Sequence, residues 1–192
     1  MKRPFVFVGD LIKNDKGAIL LEKFLITNNN YSAILANPTR LREHKITKIY
    51  LRDRNLSPTI FCAFLELKNI EIFVNYTESP EIVAHKNIHL KGNELHLAGR
   101  FKGIKVLSYS AHSLEDIIRA HESKIDYIFI SPIFAVEGKN APLGLEIFTQ
   151  IPCEVKPKIF ALGGINEDNI KDFENLGIRG VAGIRAFGKI FE

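Results

Sequence analysis

The sequence predicts a (β/α)8 barrel, formed as a single domain over residues 1–192. Three observations predict it. Short apolar runs rich in Val, Ile, Phe and Tyr alternate with segments of helical period. The runs are continuously apolar rather than alternating, as in parallel strands covered on both faces. Two glycine-bearing strand ends, Ala161-Leu162-Gly163-Gly164-Ile165 and Gly180-Val181-Ala182-Gly183-Ile184, follow one another late in the chain. That is the arrangement of the phosphate-binding corner of such a barrel.

Eight strands are expected: Phe5–Val8, Lys48–Arg52, Glu71–Asn75, Asn87–Leu90, Lys105–Tyr109, Tyr127–Ser131, Lys158–Leu162 and Gly180–Ile184. Ala18–Thr27 carries apolar residues at helical spacing and stops at Asn28-Asn29-Asn30, so it reads as the first helix. Tyr31–Thr47 reads as a long connection that turns at Asn37-Pro38. Ser57-Pro58 opens a helix over Thr59–Lys68, because a proline in the first turn gives up an N–H that has no helical partner. Ser113, with Asp116 three residues later, approximates a capping box for a helix over Ile117–Glu122. Asn166–Leu176 reads as a helix ending at Gly177. Few residues follow Ile184, so the eighth helix is short or missing. The apolar surface this leaves beside the first and last strands is expected to be covered either by Tyr31–Thr47 folding back or, as the favoured reading, by a second subunit in a twofold homodimer.

Composition excludes several classes. Hydrophobic residues make up 46% and charged residues 25% of the chain, as in an ordinary globular domain. The net charge of +4 is spread without a basic run or a nucleic-acid-binding motif, so no nucleic-acid partner is expected. No apolar run approaches the ~20 residues of a membrane span, and the stretch after Met1-Lys2-Arg3-Pro4 is too short for a signal sequence. Cys62 and Cys153 stand outside any Cys-x-x-Cys pattern and read as packed thiols of a reducing compartment. A cytoplasmic protein is the expectation, with no membrane partner.

Candidate chemistry gathers where strands end, the end at which barrels of this kind carry their sites. Consecutive glycines at Gly163-Gly164, and Gly183-Ile184 after the next strand, offer backbone N–H groups to a phosphate. Arg52 and Arg54 alternate around Asp53 and could fork a phosphate or carboxylate; a solvated charged loop accounts for them equally well. His112 sits at a strand-to-helix junction, where an imidazole can take and return a proton, although a lone histidine there is more often a polar turn residue. Lys139 could reach over the mouth as a mobile cation, or be a surface lysine. No His-Glu-x-x-His, carboxylate cluster, P-loop or Gly-x-Gly-x-x-Gly occurs. Asn75 and Glu94 are the nearest approach to a metal pair, with a single carboxylate between them.

Taken in order, these pieces resemble the thiamin phosphate synthase and TenI superfamily over nearly the whole length. The matching segments are Leu51-Arg52-Asp53-Arg54, Asn75, Ile88-His89-Leu90, Ser110-Ala111-His112-Ser113, Asp126-Tyr127, Pro132-Ile133-Phe134 with Lys139, Gly144, Ala161–Ile165 and Gly177–Ile184. The resemblance implies a barrel, often dimeric, that binds a small phosphorylated thiazole. The synthase branch joins a hydroxymethylpyrimidine diphosphate to thiazole phosphate with magnesium. Several of its pattern positions differ here: its Gln is Tyr50, its motif Lys is Arg54, its Asn-Asp pair is Asn75-Tyr76, its two threonines are Val136 and Gly138, and its late serine is Arg185. Only Glu94 could stand in for a metal-binding carboxylate.

These departures fall on the metal and spare the phosphate turns, the basic fork and His112, so the resemblance points to the TenI branch. The expected activity is a thiazole phosphate carboxylate tautomerase with no cofactor. His112 would shuttle the proton. Arg52, or failing it Lys139, would hold the carboxylate, with Arg54, Asn75 and Ser110 beside them. Gly163, Gly164, Gly183 and Ile184 would hold the phosphate, with Arg185 strengthening or filling that cup. Two alternatives stay open: a magnesium-dependent thiamin phosphate synthase using Glu94, and a non-catalytic relative that binds thiazole or thiamin phosphate.

Overall fold

A computed structural model describes residues 20–53, 55–76, 84–101 and 105–191. Eight parallel strands close into a barrel in sequence order. They are β1 (Glu22–Ile26), β2 (Ile46–Leu51), β3 (Glu71–Asn75), β4 (Asn87–Leu90), β5 (Val106–Ala111), β6 (Tyr127–Ile130), β7 (Ile159–Leu162) and β8 (Gly180–Gly183). The last strand pairs with the first, Glu22 facing Gly180 and Leu25 facing Gly183. Described helices are α1 (Tyr31–Ala36), α2 (Thr39–Glu43), α3 (Pro58–Leu65), α4 (Ala98–Phe101), α5 (Leu114–Glu122), α6 (Ile147–Gln150) and α7 (Arg185–Gly188). None of the described helices is long and apolar enough to cross a membrane.

Four expectations are corrected. The segment read as the first helix contains β1, whereas Phe5–Val8, read as the first strand, lies outside the described residues. Glu22-Lys23-Phe24-Leu25-Ile26 is buried at every position but Lys23. The charged Glu22-Lys23 pair breaks the apolar run by which the other strands are read, and the remaining apolar spacing resembles a helical stripe. With β1 placed there, Tyr31–Thr47 ceases to be a connection: it supplies α1, α2 and the start of β2. Asn166–Leu176 forms turns and one short 3-10 segment, Ile170–Phe173. Asn166 diverts that segment by accepting from the backbone N–H groups of Asp168 and Asn169, at 2.9 and 3.1 Å. Cys62 and Cys153 are exposed rather than packed. The eighth helix is short, as expected: α7 and one 3-10 turn, Lys189–Phe191, end the chain's described part.

Strand alternation sorts the barrel interior into layers. At the base, where the strands begin, Glu22 faces Lys48 at 2.6 Å and Arg179 at 2.9 Å, and Lys48 also meets Glu71 at 3.0 Å. Both cations lie over the Tyr127 ring. Burial opposes the Lys48 charge, but the facing Glu22 and Glu71 outweigh it and hold its pKa above the usual lysine value. Above this layer, Phe24 packs against Phe73, Phe129 and Phe160 with ring centroids 5.1, 4.8 and 5.3 Å away. These tilted and edge-on rings fill the barrel, leaving the upper rim as the place where a ligand can enter.

Candidate functional site at the barrel mouth

The turn after β7 is shaped by the loop after β6. The Ile133 and Phe134 N–H groups donate to the Leu162 and Gly163 carbonyls, at 3.0 and 3.1 Å. Gly163 and Gly164 have φ of +98° and +69°. A Cβ at Gly163 would lie 2.8 Å from the Pro132 Cα, and one at Gly164 would lie 2.6 Å from the Phe134 Cβ. Glycine is therefore required twice, for the backbone conformation and for the loop that crosses it. Asn169 Nδ2 donates to the Gly164 carbonyl at 2.9 Å and closes the turn.

This turn and the end of β8 line one cavity of about 840 Å³. Gly163, Gly164, Gly183, Ile184 and Arg185 meet there, together with Lys189, Glu137, Glu167 and Asp168. The two glycine turns are thus neighbours at the C-terminal end of the barrel, and Arg185 lines the cup they share. The acidic residues on its wall make its charge mixed rather than uniformly positive.

The other expected residues fall into separate groups. His112, exposed, follows the end of β5. Its Nδ1 lies 2.8 Å from the Ser131 carbonyl. A carbonyl can only accept, so in the neutral ring the proton is assigned to Nδ1 and the Nε2 lone pair is left as a base. The backbone N–H of His112 donates to Asp116 Oδ2 at 3.0 Å, while the Asp116 N–H donates to Ser113 Oγ at 3.1 Å. The capping box expected for α5 therefore holds the histidine's own backbone.

Arg52 is exposed after β2, and its N–H donates to Thr27 Oγ1 at 3.1 Å. Arg54 lies outside the described residues. Lys139 is exposed in the loop after β6, and it is not among the residues lining the cup. Asn75 is buried at the end of β3; its Nδ2 donates to the carbonyls of Arg52 and Asp53, both at 2.9 Å, and its Oδ1 accepts from the Tyr50 hydroxyl. Glu94 caps its own turn, accepting from the Lys91 N–H at 2.8 Å. Magnesium, which the synthase alternative would need, does not fit this donor set. Asn75 is committed on both of its polar ends, Glu94 is folded onto Lys91, and the described residues contain no group of three or more His, Cys, Asp or Glu able to hold a metal.

Beneath the rim, beside the expected Asn75 and Ser110, lie Tyr50, His89 and Ser108, to which sequence reasoning gave no catalytic or binding role. His89, buried on β4, places Nδ1 and Nε2 each 2.9 Å from the hydroxyls of Ser108 and Ser110. Its ring packs between Tyr50 and Phe129, with centroids 4.2 and 5.4 Å away. Burial, with some help from the Lys91 charge, lowers its pKa to about 3, so the ring is neutral near pH 7. The signal was present in the strands: Tyr50, Asn75, His89, Ser108 and Ser110 occupy inward positions of otherwise apolar runs.

A thiamine monophosphate synthase family profile matches residues 69–187. The chain belongs to that family. Among curated relatives it is 40% identical to a thiamine-phosphate synthase of Prochlorococcus marinus over 84 residues, 43% of this chain and 24% of that protein. It is 26% identical to a thiamine-phosphate synthase of Lacticaseibacillus paracasei over 181 residues, 84% of each chain. Across the first three relatives the chain spans 24%, 43% and 45% of their length. In fold, a thiamine phosphate pyrophosphorylase from Pyrococcus furiosus superposes with a TM-score of 0.67 at 20% identity, covering 90% of this chain and 92% of that one. The family profile begins close to β3 and ends in α7, so it takes in His89, His112 and both glycine turns and leaves out β1 and β2.

Proposed function

We propose that this chain binds a phosphorylated thiazole at the barrel mouth and joins it to a pyrimidine diphosphate, as a thiamine-phosphate synthase. The cup carries the proposal: Gly163-Gly164 and Gly183-Ile184 flank one cavity that Arg185 also lines, and paired backbone turns at this corner suit a phosphate monoester. The choice of reaction is supported by the relatives, which bear that name. In this chain Ser110 and the exposed Arg52 and Lys139 are the groups available to meet the diphosphate. No step is assigned to a metal, because the donors among the described residues do not fit one.

One observation favours a second reading. With Nδ1 held by the Ser131 carbonyl, His112 presents a base at a rim where the described residues form no magnesium pair, and a thiazole tautomerase needs a proton shuttle and no metal. The two reactions separate cleanly in assay. Purified protein is incubated with thiazole phosphate and hydroxymethylpyrimidine diphosphate, with and without magnesium, and in parallel with thiazole phosphate carboxylate. Release of diphosphate supports the synthase. Aromatisation of the carboxylate in chelator supports the tautomerase and overturns the synthase. Tight binding of thiazole phosphate without turnover leaves a ligand-binding relative, and absence of binding overturns the phosphate cup.

A further inference from the structure

The buried imidazole below the mouth has two hydroxyl neighbours, and the direction of those two hydrogen bonds decides what the rim offers a ligand. Ser108 is 0% exposed, and the His89 Nδ1 is the acceptor within reach of its hydroxyl among the described contacts. Were Nδ1 protonated, the Ser108 O–H would be left in the core without an acceptor, a cost avoided if Ser108 donates instead. Nδ1 must then be bare, and in a neutral ring the proton sits on Nε2. The Nε2–H donates to Ser110 Oγ at 2.9 Å. That occupies an oxygen lone pair of Ser110 and leaves its own proton without an acceptor in the described protein. Ser110 is half-buried, one layer above Ser108 on β5 and two residues before His112.

We infer that His89 is a positioning residue that makes the Ser110 hydroxyl a hydrogen-bond donor to an anionic oxygen of the ligand. The opposite tautomer would do the reverse: Ser110 would donate downward to Nε2 and present only lone pairs at the rim, which repel phosphate, diphosphate and carboxylate alike. The packing of the ring between Tyr50 and Phe129 opposes a flip, which would put ring carbons where the two nitrogens meet Ser108 and Ser110 and would disturb both neighbours. The depressed basicity of His89 agrees with this arrangement, since a doubly protonated ring would leave Ser108 without its acceptor. The inference rests on the reading of the mouth as a site for a phosphorylated substrate.

Nitrogen-15 NMR of histidine-labelled protein tests the tautomer directly, with the His89 signal assigned by its loss in His89→Gln. The expected result at pH 7 is a proton on Nε2 and a bare Nδ1; a proton on Nδ1 overturns the inference. Binding of hydroxymethylpyrimidine diphosphate, whose diphosphate Ser110 is proposed to meet, measured by calorimetry, supplies the functional half. Ser110→Ala is expected to weaken binding by about 10-fold or more. His89→Gln, whose amide can still donate to Ser110, is expected to stay within about 3-fold of the natural protein, while His89→Leu loses as much as Ser110→Ala. Equal losses in His89→Gln and His89→Leu would make the histidine a packing residue only. If the natural protein binds no hydroxymethylpyrimidine diphosphate, the reading of the mouth as a diphosphate site fails, and the donor role with it. An Nδ1 proton with intact binding overturns only the positioning of Ser110.

Discussion

The two ends of this barrel solve the same problem in opposite ways. Both place polar side chains inside the barrel, and β2 and β3 contribute to each end. At the base, Glu22, Lys48, Arg179 and Glu71 compensate one another's charge and sit against Tyr127. At the mouth, Tyr50, Asn75, His89, Ser108 and Ser110 are held by neutral hydrogen bonds, and the set ends beside the exposed His112. Buried charges demand tight mutual pairing, so the base can only be a fastening. Neutral donors and acceptors can be left facing outward at small cost, so the mouth can hold a ligand. The difference assigns stability to one end and chemistry to the other, and each prediction below strains that division.

The largest expected effect comes from acid. His89 has its folded pKa lowered from 6.5 to about 3. Its contribution is therefore fully present above pH 6.5 and is lost as pH falls toward 3, because the unfolded chain takes up a proton that the folded ring refuses. That difference is on the order of 5 kcal/mol across the whole window. Urea unfolding at stepped pH should show a steeper acid loss in the natural protein than in His89→Gln. Parallel profiles would show that the ring reaches solvent, and would weaken the contrast between a dry seam and an open rim.

Lys48→Met is next. It leaves Glu22 with Arg179 as partner but strips the central cation from the base layer. Breaking a buried pair from one side costs about 3–5 kcal/mol. Denaturant unfolding should show that loss, while the folded fraction keeps its affinity for thiazole phosphate. A change in affinity beyond the change in folded fraction would mean that the base reaches the mouth through the aromatic layer between them.

The same contrast explains what could be read from the chain. Seven of the eight strands and the two glycine turns were legible because apolar runs and Gly-Gly at strand ends are local signals. β1 was not, since Glu22-Lys23 interrupts its apolar run, and Glu22 draws meaning only from Lys48 and Arg179 far along the sequence. His112 stood out because it sits at a junction. His89 did not, because its importance lies in the two serines that the neighbouring strand brings to its ring nitrogens. Sequence spacing shows the residue types at the rim; only closure of the barrel shows which of them, like Asn75, are already engaged.

His112→Ala tests the chemistry assigned to the mouth. The residue is exposed, so stability should change by less than about 0.5 kcal/mol. If the tautomerase reading holds, turnover of thiazole phosphate carboxylate should fall by about 10²–10⁴ with the KM little changed. If the synthase reading holds, coupling should fall much less, since diphosphate departure is governed by charge stabilisation rather than by proton removal. Comparing the two rate losses in one variant sharpens the choice between reactions without depending on either being fast.

The smallest effect should come from Ser113→Ala, and it probes how rigidly the mouth is held. Ser113 Oγ accepts from the Asp116 N–H, and Asp116 in turn accepts from the His112 N–H. Removing the cap should cost about 1 kcal/mol of stability, visible as a modest shift in urea midpoint. The more telling readout is the rate. Asp116 loses the bond that fixes its turn, so the His112 backbone loses an anchor while its side chain keeps the Ser131 carbonyl. Turnover should therefore fall several-fold in the reaction that uses His112, and substitution of Asp116 by Asn, which keeps an acceptor, should restore none of it in the Ser113→Ala background. A stability loss of the expected size with no change in rate would show that the Nδ1 contact alone positions the imidazole, and that the mouth, like the base, is fixed by side chains rather than by the helix that follows it.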